Sequence, residues 1–405
     1  MNGRFKKLLV HQLQVGMYVS DLDRPWLESP FLVEGLLIRS PEEIEILNEI
    51  CDFVFIDIGK SPVCTSKRVS IGKSIKEIFP EKKLKPFENK TSLAQELQSV
   101  KSIYQDYETA VSKIYDDAKS GQKLSIRSAN EAVGNIVGSL VRNPDACTLL
   151  YRMKKKGDYI YNHAIGTSIW SATIGRQIGL PPLELKKLAL SGLLCDIGKV
   201  KISSRILNKP NKLSSEECQA IKSHIEIDDD FRNNFPGLAE SIVETINTHH
   251  ERHDGSGYPL GIRGDEIPVL SRIVGLADCY DAMISDKPYA KAMSTYDAAK
   301  ELYELRDIYF QSEIIDEFIQ AVGLYPIGSL LELNNGEVGI VVEVYPQHRL
   351  KPKLLMLLNS MKEPIEGDSY LNLLDKTTTK TDDPFNIKGC LEPGTYNLDA
   401  NDYFI

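Results

Sequence analysis

The sequence predicts a mainly α protein: an all-helical domain carried between a small N-terminal α+β domain and a short C-terminal β-rich appendage. Three observations lead there. Residues 155–325 run as helix after helix, residues 1–60 alternate short apolar runs with turn signals, and after Tyr325 the pattern changes to β-rich runs around an Asn-Asn-Gly turn. At 405 residues the chain has the length of two or three domains of about 150 residues each. Its 42% hydrophobic and 26% charged residues can bury a sizeable core, which excludes a disordered, collagen-like or disulfide-scaffold chain.

In order along the chain, LLVHQLQVGMYVS and FLVEGLLI read as strands of a first domain, residues 1–60, which extends to about 130 on a wider reading. Between Ser40 and Ile50 the signals are helical: Ser40 as cap, Pro41 at the first helical position, Glu43 three residues after the cap. DFVFIDIG closes the domain as a buried strand. Residues 61–135 combine a basic, proline-containing linker (Lys60 to Lys90) with connecting helices from residue 92 onward. The helical domain is expected over 136–335 and a β-rich polar extension over 336–405. No internal repeat is visible.

Charge and cysteine usage narrow the function classes. A net charge of −9 argues against a large surface for duplex DNA or RNA, and leaves room for an anionic substrate neutralised by metal ions or a few lysines. Tyr159–Gly175 is the most membrane-like stretch, but Asn162, His163, Thr167, Ser168, Ser171 and Thr173 interrupt it, and it is slightly too short to span a bilayer. The apolar run Leu8–Val10 stops at His11, which argues against a signal peptide. The expected location is the cytoplasm. The cysteines at 51, 64, 147, 195, 218, 279 and 390 form no C-x-x-C pair and read as reduced and mostly buried, Cys218 and Cys279 among them.

The chemistry concentrates in one quarter of the chain. Five of the seven histidines lie between positions 163 and 253. His163 stands near the start of a helix whose Ile165, Ile169 and Thr173 share a face. The next helix ends with Cys195, Asp196 and Lys199, the last two being three apart and on one face. Ser214 and Glu217 form a capping box for a helix carrying His224. Ile242 and Ile246 share a stripe with His249 and His250, after which DGSGYP ends the helix. A fifth helix, with Pro268 in its first turn, carries the stripe Val274–Asp278–Asp281. Taken singly, each residue has a plain structural reading: His163 as a satisfied core histidine, Asp278 and Asp281 as solvated or ion-paired, Lys199 and Lys287 as solvated. His11 and His348 stay at that reading. The joint pattern is different, because buried His and Asp are costly unless paired or metal-bound. Four imidazoles and two or more carboxylates on five helices point to a metal centre for Fe, Mn or Zn. Two ions sharing a bridging carboxylate would need about this many ligands, and such pairs activate water for phosphoester cleavage.

These residues also match a known pattern. CDIGK (Cys195 to Lys199), KSH ending at His224, HHERHDGSGYP from His249, RIVGLADCYDA from Arg272 and DKPY from Asp286 resemble, in order, the HD-GYP subgroup of the HD phosphohydrolases. ILNKPNKLSSEE and GIRGDEIPVLSRI fit as flanking phrases. QLQVGMYVSDLDRPWLESPF resembles the domain of unknown function that often precedes bacterial HD-GYP domains. The resemblance implies a helical fold with a binuclear centre, most often iron or manganese, with zinc as an alternative, and hydrolysis of cyclic di-GMP to pGpG or GMP in bacterial signalling. It also implies cyclic di-GMP as ligand, diguanylate cyclases or other signalling proteins as partners, and a homodimer. Carried over by motif, His163, Asp196 and Asp278 serve one ion, and Asp196 bridges to a second held by His224, His249 and His250. Asp196 and Lys199 are the catalytic residues, the lysine stabilising phosphate charge. Gly257, Tyr258, Arg272 and Lys287 are expected at the substrate. Four positions depart from the pattern. Cys195 replaces the name-giving histidine as candidate ligand on a much shorter arm, so either the helix or the metal shifts, or water fills the vacancy, or the first ion binds weakly. Lys287 stands where the family commonly has Arg, and loses the bidentate fork. Ala290 stands where a basic residue is usual, and Tyr159 where trinuclear members carry Glu. His253, four residues after His249, reads as a stacked or solvent-exposed residue rather than an extra ligand. The alternative reading is a catalytically degenerate module that binds a nucleotide or a partner.

Overall fold

The computed structural model describes residues 5–24, 26, 29, 31, 35–38, 41–57, 61, 84, 87–153, 158–226, 233, 235–287, 290–345, 348–375 and 385–404. Ser40, Cys64, most of the expected linker between Lys60 and Lys90, Pro288 and Tyr289 lie outside them. The chain divides into two compact units, Met1–Gly72 with Gln347–Lys351, and Lys73–Pro346 with Pro352–Ile405.

The first unit is an antiparallel four-stranded sheet in the order β1-β4-β2-β3, with β1 Phe5–Leu9, β2 Tyr18–Leu22, β3 Leu36–Leu37 and β4 Phe53–Asp57. Helix α1 (Pro41–Ile50) starts at the proline, as expected from the fixed φ of that ring. Leu47 of α1 joins Val19, Leu36, Ile38, Val54 and Ile56 in one core. The run LLVHQLQVGMYVS is not one strand: a 3₁₀ turn at Val10–Gln12 and Gly16, at φ 92°, break it before β2.

In the second unit α2 (Leu93–Lys119), α3 (Ile126–Arg142) and α4 (Pro144–Met153) precede α5 (Tyr159–Ile178) and α6 (Pro182–Leu194). The helices expected to be connectors are part of the bundle. The Tyr107 hydroxyl of α2 bonds Ser168 Oγ at 2.6 Å, and Tyr115 donates to the Leu193 carbonyl at 2.9 Å. The membrane-like stretch is the central helix, α5, buried from His163 to Arg176. Two of its hydroxyls bond within the helix, Ser171 on the Thr167 carbonyl and Thr173 on that of Ile169, which lets a Ser/Thr-rich helix enter a core; Ser168 meets Tyr107, and Thr167 Oγ1 is buried without a hydrogen-bond partner.

A 3₁₀ turn at Ile197–Lys201, α7 (Ser215–Lys222), a 3₁₀ turn at Ser223–Ile225, α8 (Glu240–Thr248), α9 (Val269–Met283), α10 (Thr295–Glu304) and α11 (Ser312–Val322) complete the bundle. The C-terminal segment is more ordered than a polar tail. The expected hairpin, β5 (Leu330–Leu333) and β6 (Val338–Glu343), is joined by β7 (Lys353–Leu358), β8 (Tyr370–Asn372) and β9 (Ile387–Cys390) in the order β8-β7-β6-β5-β9. Its core is Leu330, Val338, Ile340, Leu357 and Leu358. Cys218 is exposed rather than core, because α7 buries none of its residues.

Candidate metal centre

Most of the polar residues gathered at the centre of the bundle come from helix ends rather than from helix stripes. The Ser214–Glu217 capping box starts α7 as expected, but the helix closes at Lys222 and His224 stands in the 3₁₀ turn after it. Helix α8 closes at Thr248, so His249 and His250 follow it. Cys195 and Asp196 follow the last residue of α6, and Lys199 lies in the next turn. Only His163 and Asp278 sit within helices, α5 and α9. Two glycines let these turns meet. A Cβ on Gly198 would lie 2.0 Å from the His224 carbonyl oxygen, and one on Gly275 would lie 2.3 Å from that of His249. Only a residue without a side chain allows that approach.

Everything converges on Asp196, which is 2% exposed. His224 Nε2 lies 3.1 Å from its Oδ1 and His249 Nε2 3.9 Å from the same atom. His163 Nε2 is 3.4 Å from its Oδ2, and the Lys199 ammonium bonds that oxygen too. His250 Nε2 is 3.2 Å from His224 Nε2. One donor atom from each of Asp196, His224, His249 and His250, and one from each of Cys195, Asp196, His249 and Asp278, lie within 4.8 Å of one another. The first group holds the three histidines expected at the second ion; the second pairs Cys195 with both carboxylates.

Hydrogen bonding behind the rings sets which nitrogen faces inward. His224 Nδ1 and His249 Nδ1 donate to the carbonyls of Ile221 and Ile246. A carbonyl only accepts, so each proton sits on Nδ1 and each Nε2 presents a lone pair to Asp196. His163 Nδ1 donates to Asp281 Oδ2 at 2.8 Å, and its Nε2 meets Asp278 Oδ1 at 2.9 Å. Asp281 also accepts from Tyr151 at 2.5 Å and Trp170 at 3.0 Å. It stood on the α9 stripe in the sequence, where nothing distinguished it from a solvated or ion-paired carboxylate; in the fold it fixes the orientation of His163.

These residues suit a cation. The His224 lone pair and Asp196 Oδ1, both electron-rich, lie 3.1 Å apart. Asp196 Oδ1 and His249 Nε2 are buried without a hydrogen-bond partner, a costly arrangement unless an ion sits among them. Burial opposes ionisation of Asp196, yet the charge of the neighbouring Lys199 ammonium outweighs it and holds the carboxyl well below the usual range. Burial lowers His249 to about 4 and keeps His250 neutral in the same way, the state in which imidazole ligates. Burial and the two neighbouring carboxylates push the Cys195 thiol well up, and Sγ donates to the Gly192 carbonyl at 3.3 Å.

A cleft of about 1150 Å³ opens on this cluster, lined by His163, Lys199, His250, Asp278 and Lys287, with Lys209 and Lys212 also on its wall. Lys209 pairs with Glu217, whereas Lys287 has no ion pair among the described residues; burial lowers its pKa. The other expected substrate residues fall elsewhere. Tyr258 stacks on His250 with ring centroids 4.8 Å apart, under the Lys222 ammonium. Gly257 packs against the backbone of His250–Arg252. Arg272 does not reach the cleft: it is bonded to the Ile267 carbonyl, Asp265 and Gln311. Glu251, unremarked in the sequence, holds the loop after Tyr258 through the Leu260 and Gly261 amides. His253 is buried, 6% exposed, and belongs to neither donor group.

Three family descriptions match: an HD domain over residues 145–314, a domain of unknown function, DUF3391, over 5–129, and a KOW domain associated with HD domain over 330–389. The chain is 30% identical over 364 residues to the cyclic di-GMP phosphodiesterase PA4108 of Pseudomonas aeruginosa, covering 89% of this chain and 87% of that one. The chain belongs to the HD-GYP family. Another relative is cyclic di-GMP phosphodiesterase PdeB of Borreliella burgdorferi, 28% identical over 62% of this chain and 64% of its own. A third is the 3'3'-cGAMP-specific phosphodiesterase 3 of Vibrio cholerae, 30% identical over 42% of this chain and 37% of its own. The HD match of this HD-GYP chain contains every residue of both donor groups. The DUF3391 match runs past the first unit to include α2.

Proposed function

We propose that this protein is a metal-dependent phosphodiesterase that hydrolyses cyclic di-GMP to pGpG or GMP. The observation that carries the reading is the convergence of two four-donor groups on one buried carboxylate, Asp196, beside a cleft lined by His163, His250, Asp278 and several lysines. The names of the Pseudomonas and Borreliella relatives support the substrate. In this reading residues 136–335 form the hydrolytic domain; His224, His249 and His250 would hold one ion, Asp278, His163 and Cys195 would serve a second, and Asp196 would be shared between them. Iron or manganese suits this mixed set, and zinc is compatible. Divalent ions bound here supply a water of lowered pKa and neutralise phosphate charge. The chain's own groups do the rest. Lys199, locked on Asp196, places a permanent positive charge where phosphate oxygens gain negative charge. Lys287, on the wall of the same cleft and with no ion pair among the described residues, offers a second cation to the substrate. Asp281 keeps the His163 proton on Nδ1, so Nε2 stays directed at the centre. Tyr258, stacked on His250, steadies that ring from outside the cleft. No described helix is long and apolar enough to cross a membrane.

The test is product analysis. Protein purified anaerobically is loaded with Fe(II) or Mn(II), incubated with cyclic di-GMP, and the nucleotides are separated chromatographically. The expected result is pGpG or GMP from the wild type, none from Asp196→Ala, and turnover preserved or raised in Cys195→His. Equal rates in wild type and Asp196→Ala overturn the mechanism. An unchanged substrate peak with both metals supports instead the binding-module reading, for which the Cys195 thiol bonded to Gly192 is the structural motive.

A further inference from the structure

A second cavity, of about 620 Å³, lies between the helical bundle and the C-terminal sheet. Its polar wall is unusual. The Arg152 guanidinium, at the end of α4, donates to the Ile327 carbonyl at 2.9 Å and to Ser329 Oγ at 3.1 Å. Both acceptors are neutral. Among the described residues no carboxylate lies within ion-pair range, and the remaining N–H groups of the fork have no acceptor. A half-buried guanidinium served only by neutral groups is costly, and an anion is what offsets the cost. Next to it, Thr295 Oγ1 lies 3.4 Å from Ser329 Oγ. Thr295 opens α10 and lines the same space with Ser294; the first turn of that helix is already capped by Ser294 and carries Asp297. The two carboxylates on the wall, Asp286 and Asp399, accept bonds from the Ala292 amide and from Asn401. The opposite wall is apolar, with Leu149, Met153, Met293 and Leu391.

This cavity also adjoins the metal cleft. Tyr159 and Asp286 line both, and the Tyr159 ring stacks on His163 at 5.2 Å, nearly parallel. An occupant of the second cavity therefore touches the ring that packs on a residue of the candidate centre.

We propose that this cavity is a binding site for a small organic phosphate of mononucleotide size, its phosphate on Arg152 and Ser329 and its planar body against the apolar wall. Binding there biases the metal centre through Tyr159. The volume lies within the range of small-molecule sites, and a planar guanidinium with a neighbouring hydroxyl suits a phosphate.

The binding experiment is independent of turnover. Full-length protein is stripped of metal with a chelator and titrated calorimetrically with GMP and, separately, with inorganic phosphate. GMP is expected to bind the metal-free wild type and Asp196→Ala equally. Arg152→Gln should weaken it by about tenfold or more, as expected for losing a charge-assisted bond, with unchanged circular dichroism. Leu149→Trp, which fills the apolar wall, is a second variant that leaves Arg152 in place and should weaken GMP more than phosphate. Equal GMP affinity in wild type and both variants overturns the site, as does binding that disappears in Asp196→Ala. Absence of binding by either probe to the metal-free protein overturns it too. For the coupling, GMP should alter the Mn(II) affinity of the wild type and leave that of Arg152→Gln unchanged; an equal effect on both removes the link through Tyr159.

Discussion

At the scale of single residues, the centre depends on groups that hold the rings as much as on the rings. Asp281 is fully buried and accepts from His163, Tyr151 and Trp170. Replacing it with Asn keeps the shape but removes the charge that orders these donors. Asp281→Asn is expected to lower affinity for Mn(II) about 10- to 100-fold with helix content unchanged, measured by competition with a chelator. Unaltered affinity would mean that His163 needs no such support. The residues themselves were readable: His163, His224, His249, His250, Asp196 and Asp278 stand in a recognisable order, and the structure brings all six together. The supporting roles were not. Asp281 looks like any carboxylate on a helix stripe, and Glu251 like any surface acid, until the loop it ties is folded above it. Arg272 erred in the other direction, since only the fold shows its donors spent on Ile267, Asp265 and Gln311.

At the scale of elements, the periodicity that predicted the helices overran their ends. Stripes continue in sequence for as long as apolar residues recur, but backbone hydrogen bonding stops where a turn satisfies the last carbonyls better. His224, His249 and Asp196 stand in those turns, where a ring can bond back to a carbonyl three residues earlier and still face the centre. The bundle beneath is tied together by Glu96 of α2, whose side chain is 1% exposed and accepts from Arg142 and Ser139 of α3 and from Thr91. Burial alone would raise its pKa, but the Arg142, Ser139 and Thr91 bonds outweigh burial and hold it below the ordinary 4.5. With a depressed folded pKa, its contribution is complete above the unfolded value and is lost as pH falls through the folded one. Glu96→Gln should cost about 2–3 kcal/mol at pH 7, less than for a fully buried pair, because the Arg142 side chain keeps 38% exposure. In urea titrations the gap between variant and wild type should narrow as pH falls below about 4. A gap that stays constant down to pH 2.5 would remove the ion pair from the account.

At the scale of the whole molecule, each of the two units has an apolar core of its own. One is the cluster around Val19, Leu36, Leu47 and Val54; the other surrounds α5, with Ile165, Ile169, Trp170 and Ile174 among its buried residues. Calorimetry should accordingly resolve two transitions. Saturating Mn(II) should raise only the one belonging to the helical unit, by about 2–4 °C at a hundred times the dissociation constant. One transition moving as a whole would show that the units unfold together.

The sequence by itself determined the fold class, the order of the chemical residues and the family, because those depend on local periodicity, turn chemistry and motif spacing. It also showed that Cys195 stands where the pattern has histidine. Only the tertiary structure decided that α2 and α3 belong to the bundle, that the C-terminal residues close a five-stranded sheet, and that Cys195 shares a four-donor group with Asp196, His249 and Asp278. The reason is physical: packing, close backbone approach and the partners of buried polar atoms are contacts between residues far apart in the chain, and no local pattern records them.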